Sequence, residues 1–189
     1  MGDIAETIQE SVEQFEKNKI NSVVAILVAI TATFMALCNV KDGNIVQAMS
    51  QAQAHSIDAW SYYQAKSTKE AMAENTVELL KLQKVAGGET LIKKYEAEII
   101  KYDKEKATIK AQAEGFQKEY EDTNLFDDQF DMTEALLSIS IAMLGIASLT
   151  QKKWLLYFAG SVSLVGILLG LTAFMKINLH SELISKILG

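Results

Sequence analysis

The chain has 189 residues and a net charge of −6, contains no proline, and draws all 18 of its basic side chains from lysine. Without arginine it lacks the bidentate fork that binds phosphate, and its negative charge disfavours a nucleic-acid partner. The missing proline is typical of a nearly all-helical protein. The single cysteine, Cys38, excludes an intramolecular disulfide, so we interpret it as an apolar filler, with a reactive thiol as the alternative.

Residues 1–19 have the pattern of an amphipathic helix. One face carries four apolar residues, and the glutamates lie on the other side. The acidity of this helix disfavours a position flat on an anionic lipid surface, where lysine-rich faces are usual. We expect it to pack on a partner or a second subunit through its apolar face, Ile4, Ile8, Val12 and Phe15.

Residues 20–40 form the first predicted transmembrane helix. This run of 21 residues has no charge and lies between Lys19 and Lys41. At 1.5 Å per residue it covers about 30 Å, the thickness of the hydrocarbon core. A cleavable signal peptide is the competing interpretation, but the preceding segment is acidic and the apolar run is longer than a signal core.

Residues 41–131 form a polar segment with a helical period, which predicts a coiled-coil hairpin. Gly87-Gly88 marks the predicted turn. The half before the turn is rich in small residues. In the half after it, nine residues spaced by three or four form a seam: Ile92, Tyr95, Ile99, Tyr102, Lys106, Ile109, Ala113, Phe116 and Tyr120.

A turn at Gly87-Gly88 would place residues face to face when their numbers add to about 175, as follows from folding an antiparallel helix pair at that point. Trp60 then lies over Gly115, and Ala59 and His55 lie against Phe116 and Tyr120. Large residues would thus oppose small ones, which is how helices interdigitate without voids. Added bulk at Gly115 is expected to displace the Trp60 indole.

An acidic group follows the seam, at Asp122, Asn124, Asp127, Asp128 and Asp131. It lacks the central glycine and terminal glutamate of an EF-hand. We interpret Asp131 and Glu134 as a capping box at the start of the next helix. His55 and His180 have no ligand spacing around them, so we expect no metal site, no cofactor and no catalytic residue.

Residues 132–151 and 154–175 are the second and third predicted transmembrane helices, joined by a tight turn at Lys152-Lys153. No ionisable residue lies in the uncharged runs, which disfavours a pump or proton-coupled transporter. Small residues at four-residue spacing allow close helix contacts, either within one chain or between subunits. The candidates for these contacts are Gly166, Gly170, Ala25 and Ala29, and residues 176–189 read as a final amphipathic helix.

Short loops that carry lysine stay in the cytoplasm, whereas long segments translocate largely regardless of charge. Lys152 and Lys153 therefore predict a cytoplasmic turn, which also places Lys17, Lys19 and the N-terminus inside. The hairpin and the C-terminus would lie outside.

The most distinctive stretch is residues 58–69, which read D-x-W-x-Y-Y-Q-A-K-x-x-K. Here the chain resembles a bacterial membrane protein family known as domain of unknown function 4337. The resemblance covers nearly the whole chain and implies a first span, a coiled coil and two terminal spans, but no activity. The residues around this motif form either a packing anchor or a binding patch: Trp60, Tyr63, Gln64, Gly115 and Phe116.

These patterns predict an all-α, non-enzymatic scaffold in the bacterial inner membrane. We expect membrane lipids, further copies of the chain and an unidentified protein as its partners, and no nucleic acid. The alternative is an oligomeric pore, with a membrane enzyme third. The pore would be lined by the hydroxyls of the spans, Thr31, Thr33, Ser138, Ser140 and Ser161.

Overall fold

Three long helices packed as antiparallel hairpins make up the computed structural model, which describes residues 2–84 and 87–177, with side chains from residue 9 onward. They are α1 (Gly2–Gln83), α2 (Gly88–Thr150) and α3 (Lys153–Phe174). The all-α prediction is confirmed. The predicted C-terminal helix, apart from its first two residues, and the side chains of Ile4 and Ile8 lie outside the described residues.

The helices run through the boundaries that the sequence suggested. The predicted N-terminal helix, the first apolar run and the first half of the hairpin are all parts of α1. The second half of the hairpin continues through the acidic group into the second apolar run as α2. No helix begins at Asp131, so the predicted capping box with Glu134 is wrong. The division into separate segments remains a sequence prediction.

The connection between α1 and α2 lies between Gln83 and Gly88. Lys84 and Gly87 have φ angles of 47° and 77°, in the left-handed region that glycine enters without steric cost. Gly88 is the first residue of α2 rather than part of the turn. The reversal therefore comes slightly earlier in the chain than the glycine pair suggested.

The connection between α2 and α3 consists of Gln151 and Lys152, one residue earlier in the chain than the predicted Lys152-Lys153 turn. Gln151 has a φ of 56°, and its backbone N–H donates to the Ala147 carbonyl at 2.9 Å. Lys152 is extended and precedes the first residue of α3. This is a left-handed helix ending of the kind that reverses a chain within one or two residues.

The chain divides into two compact units. Among the described residues, 2–46 and 124–177 form the first, which we call the three-helix unit, and 47–84 and 87–123 form the second, the hairpin unit. Within the described residues, one stretch of each helix is long and apolar enough to cross a membrane, with mean hydropathies of 2.4, 1.7 and 2.0 for α1, α2 and α3.

Large apolar side chains fill the three-helix unit. Phe130, Leu137 and Leu144 are fully buried. The Phe174 ring packs edge-on against Phe34 and Phe130, with centroids 6.2 and 5.2 Å apart. Cys38 is also buried, as expected for an apolar filler.

The hairpin unit has a narrower seam. It is built largely from small or slender residues, so the two helices approach closely but bury little area. Its buried apolar residues are Met49, Ala52, Ala73, Val77, Ile109 and Ala113. Ile109 and Ala113 belong to the predicted seam, which therefore faces α1 inside the hairpin.

Candidate functional site

Gly166 and Gly170 make the closest helix contacts in the three-helix unit. A Cβ on Gly166 would lie 2.8 Å from Leu137 Cδ2, and one on Gly170 would lie 2.8 Å from Phe34 Cε1 and 2.9 Å from Thr133 Cγ2. All three distances are far below van der Waals contact. The two glycines are therefore used for packing within the chain.

Ala25 and Ala29, the other predicted contact residues, are exposed on α1. Within the described residues, no helix covers them. Val12 and Phe15 of the predicted N-terminal stripe are exposed as well. These side chains thus remain available to lipid or to a second copy.

Some of the hydroxyl groups that were predicted to line a pore form hydrogen bonds inside the three-helix unit instead. Thr31, which is 1% exposed, shares a 2.7 Å hydrogen bond with Ser163. Ser140 is also buried and donates to the Ala159 carbonyl at 2.9 Å. Thr33, Ser138 and Ser161 are exposed. Two of the five predicted pore-lining residues therefore face the contacts between helices rather than the outside of the unit.

Two carboxyl groups meet where the polar part of α1 follows its apolar run. One oxygen of Asp42 and one of Asp127 are shielded from solvent, and the two carboxyl groups lie within hydrogen-bonding reach of each other when one of them is protonated. Burial raises the pKa of Asp127 to about 6, and the neighbouring Asp42 and Asp131 carboxylates add to the shift. Burial likewise raises the pKa of Asp42. Within the described residues, no group of three or more potential ligands is arranged to hold a metal ion.

Three ion pairs among the described residues join the two helices of the hairpin unit, and the most exposed of them is Lys81 with Glu96 at 2.9 Å. Lys66 contacts Glu105 at 2.5 Å, and Lys106 contacts Glu70, which is 9% exposed. A hydrogen bond from Lys66 lowers the pKa of Glu105. The Lys66 ammonium also lies 5.4 Å from the centroid of the Tyr102 ring, within the range of a cation–π interaction.

The residues of the predicted aromatic patch do not form one group. Trp60 packs edge-on against Tyr63 at a centroid distance of 5.6 Å, and both are half-buried. Phe116 lies against His55 at 5.2 Å instead of Ala59. Gln64 points outward. The position of a Cβ on Gly115 has no atom within 4 Å, so the predicted contact between Trp60 and Gly115 is wrong.

The contacts across the hairpin unit spread around the predicted register. Because α1 ends at Gln83 and α2 begins at Gly88, facing residues are expected to have numbers that add to about 171. Lys66 with Glu105 and His55 with Phe116 have this sum, whereas Glu70 with Lys106 and Lys81 with Glu96 have sums of 176 and 177. These sums lie on both sides of the predicted value of about 175.

A second face of the hairpin unit was not anticipated. On the side of α1 turned away from the seam, eight exposed residues follow each other at steps of three or four, and none is charged. Met72 and Leu82 are 64% and 78% exposed. We call this the outer face: Ile57, Ser61, Gln64, Thr68, Met72, Asn75, Leu79 and Leu82.

The signal for the outer face was present in the sequence. The charged residues between positions 57 and 82 all avoid this side of the helix. An uncharged side of this kind is typical of a helix that is covered by another helix. The predicted seam accounts for the apolar residues on the side of α1 that faces α2. The second periodic set of uncharged residues, on the opposite side of α1, was not part of that prediction.

These features define an all-α protein with three apolar, potentially membrane-spanning helices and a two-helix hairpin unit. A family described as a domain of unknown function, DUF4337, matches residues 20–176, and the chain belongs to this family. The resemblance drawn from residues 58–69 is thus confirmed. No curated protein and no solved structure matches the chain.

Proposed function

We propose that this protein is a non-enzymatic membrane scaffold that self-associates through the outer face of its hairpin unit. The observation that carries the proposal is the outer face itself. The hairpin seam is satisfied by contacts between α1 and α2, yet Met72, Leu79 and Leu82 remain exposed on an uncharged side of α1. Apolar residues at this spacing are the side of a coiled coil that a partner helix covers.

A second copy of the chain is the partner that fits this face best. Since the face carries no charge, two copies do not repel each other when they meet. Its polar members, such as Gln64 and Asn75, can form hydrogen bonds with their equivalents, and a polar residue within an apolar seam commonly fixes the register of a coiled coil. A partner with a charged surface would find no opposite charge on the outer face, so its own charged groups would stay unpaired.

Charge substitutions on the outer face test the assembly. Glutamate at both Met72 and Leu79 should produce monomers, and so should lysine at both positions, because like charges would then meet across the interface. Mixing the two variants should restore a complex. The measurement is the mass of the full-length protein in mild detergent and in lipid nanodiscs.

Glu74→Lys is the matched control, since Glu74 is exposed on the same helix but lies on its charged side, outside the outer face. It should leave the assembly intact. A wild-type protein that is monomeric in both detergent and nanodiscs would disprove self-association. Variants that remain assembled would show that the contact lies elsewhere.

We further propose that the three apolar stretches cross a bacterial inner membrane, with the turn at Lys152-Lys153 and the N-terminus in the cytoplasm and the hairpin outside. Their hydropathy supports insertion, and the short lysine-bearing turn supports the orientation. Single cysteines at positions 88 and 153, introduced after replacement of Cys38, test it in intact cells. Labelling by an impermeant reagent at position 153 but not at position 88 would reverse the orientation.

The alternative of an oligomeric pore draws less support. Thr31 and Ser140 are bound within the three-helix unit and are not available to line a channel between subunits. A high-resolution structure of the assembled protein in lipid would distinguish the two functions, because a pore requires a continuous water-filled path across the bilayer.

A further inference from the structure

A cavity of about 320 Å³ lies between α1 and α3, where the first and third apolar runs begin. One part of its wall is polar and contains Lys19, Lys153 and Glu16. The other part is apolar and contains Ile20, Val23 and Leu156. The cavity therefore offers both charge and hydrocarbon contact to the same ligand.

Hydrogen bonds hold the walls of this cavity in place. Asn21 Oδ1 accepts hydrogen bonds from Ser148 Oγ at 2.9 Å and from Gln151 Nε2 at 3.0 Å. These bonds fasten the turn between α2 and α3 to α1. Ile20 and Leu156 belong to the buried core of the unit. The cavity is thus bordered by fixed helices rather than by loops alone.

The polar wall has a net positive charge. Lys153 donates to Glu16 at 2.6 Å, which raises the pKa of Lys153 and lowers that of Glu16. An ammonium has three donors, so two of those of Lys153 remain for a ligand. Lys19 adds a second cation, and Lys17 and Lys152 are exposed nearby in the chain.

The start of α3 strengthens this positive field. No side chain caps the helix at Lys152, and the unpaired N–H groups of a helix N-terminus favour an anion. The exposed Trp154 and Tyr157 are the residue types that lie at the boundary between lipid headgroups and acyl chains.

We propose that this cavity binds an anionic phospholipid, with the phosphate at Lys19 and Lys153 and an acyl chain along Ile20, Val23 and Leu156. Basic pockets between helices at the level of the headgroups recognise lipids of this class. The predicted N-terminal helix is too acidic to lie flat on such lipids, so binding is confined to the cavity. The inference rests on the membrane insertion proposed above and is independent of self-association.

Quenching of Trp154 by brominated lipids tests the site in the full-length protein. The chain has two tryptophans, so Trp60→Phe leaves Trp154 as the only reporter. In mixed bilayers, brominated phosphatidylglycerol should quench it more strongly than brominated phosphatidylcholine. Lys19→Gln and Lys153→Gln should each lower the relative affinity for phosphatidylglycerol by about fivefold, and both together by about 30-fold.

Lys41→Gln with Lys176→Gln is the matched control, because these exposed lysines lie at the opposite ends of the same apolar runs. The control should retain the preference for phosphatidylglycerol. An equal loss in the control and the test variant would show a general surface-charge effect and overturn the proposal. Val23→Phe should also weaken binding, because it fills the apolar part of the cavity without changing the charge.

Inorganic phosphate and glycerol 3-phosphate distinguish a lipid from a soluble anion. Neither should relieve the quenching at millimolar concentration if acyl-chain contact is needed. Displacement by either would assign the cavity to a free phosphate compound instead. Carbonate extraction separates the two proposals: a chain released from membranes disproves insertion, whereas an inserted chain with equal quenching by both lipids disproves only the lipid site.

Discussion

In the three-helix unit, close contact is made by glycines beneath large side chains, whereas in the hairpin unit alanines line the seam and ion pairs flank it. Gly170 lies under Phe34 and Thr133, and buried hydroxyls join the helices at Thr31 and Ser163. Such packing and hydrogen bonding favour helix association in lipid, where burial of apolar surface contributes little.

The hairpin unit follows the rules of a helix pair in water. Its seam includes Ala52, Ala73 and Ala113, and the stems of Lys66 and Lys106 cover the edges while their ammonium groups pair with glutamates. Two helices alone bury little area, so one outward side of α1 remains uncharged and exposed. The contrast teaches that the first unit makes its closest helix contacts within the chain, whereas the second leaves one uncharged side of α1 uncovered.

Gly170→Leu should have the largest effect and should act on the three-helix unit. Thr133 is fully buried, and its hydroxyl donates to the Gln129 carbonyl at 2.9 Å, so it cannot move away from an added side chain. Overpacking of this kind costs about 1 to 3 kcal/mol. Thermal unfolding in detergent, followed by Trp154 fluorescence in a Trp60→Phe background, measures the loss.

Gly160→Leu on the same helix is the control. A Cβ at Gly160 meets nothing within 4 Å, so this variant should keep or slightly raise the wild-type stability. If both leucine variants were equally unstable, the loss would not come from the close contacts of Gly170.

The two units should also respond to pH with opposite sign. Asp127 has a pKa of about 6 in the folded protein, above its ordinary value, so the folded state binds a proton first. The three-helix unit should therefore gain stability as the pH falls from about 6 toward 4. The lowered pKa of Glu105 means that the hairpin unit keeps its stability until the pH falls below about 4.5, the ordinary glutamate range, and then loses it.

Each unit contains one tryptophan, Trp154 and Trp60, so unfolding can be followed separately in Trp60→Phe and Trp154→Phe backgrounds. Asp127→Asn should raise stability at pH 7 and reduce the gain between pH 6 and 4, with the remainder coming from Asp42, whose pKa burial also raises. Glu13→Gln, an exposed change in the same unit, should alter neither. A gain at acidic pH that persists undiminished in Asp127→Asn would assign it to another group.

The helices and the family could be predicted from the sequence because long periodic patterns, uncharged runs and the motif at residues 58–69 are local signals. The contact between Asp42 and Asp127 could not, because it joins residues far apart in the chain and depends on the helix register. That register was set from Gly87-Gly88 as the turn, although Gly88 begins α2. Gly115, the predicted partner of Trp60, has no atom within 4 Å of its Cβ position.

Gly115→Leu should have the smallest effect, and its sign tests the predicted contact with Trp60. Added bulk would destabilise a hairpin in which Trp60 covered Gly115. Because a Cβ at Gly115 has no atom within 4 Å, the substitution should instead stabilise the hairpin unit by about 0.5 to 1 kcal/mol, since glycine is a poor helix former.

Ala113→Leu is the contrasting variant. Ala113 is fully buried in the seam, so a leucine at this position, two residues from Gly115, should destabilise the unit. Thermal unfolding of the full-length protein, followed by Trp60 fluorescence in a Trp154→Phe background, measures both. A destabilised Gly115→Leu protein would place Gly115 under a side chain that this structure locates elsewhere.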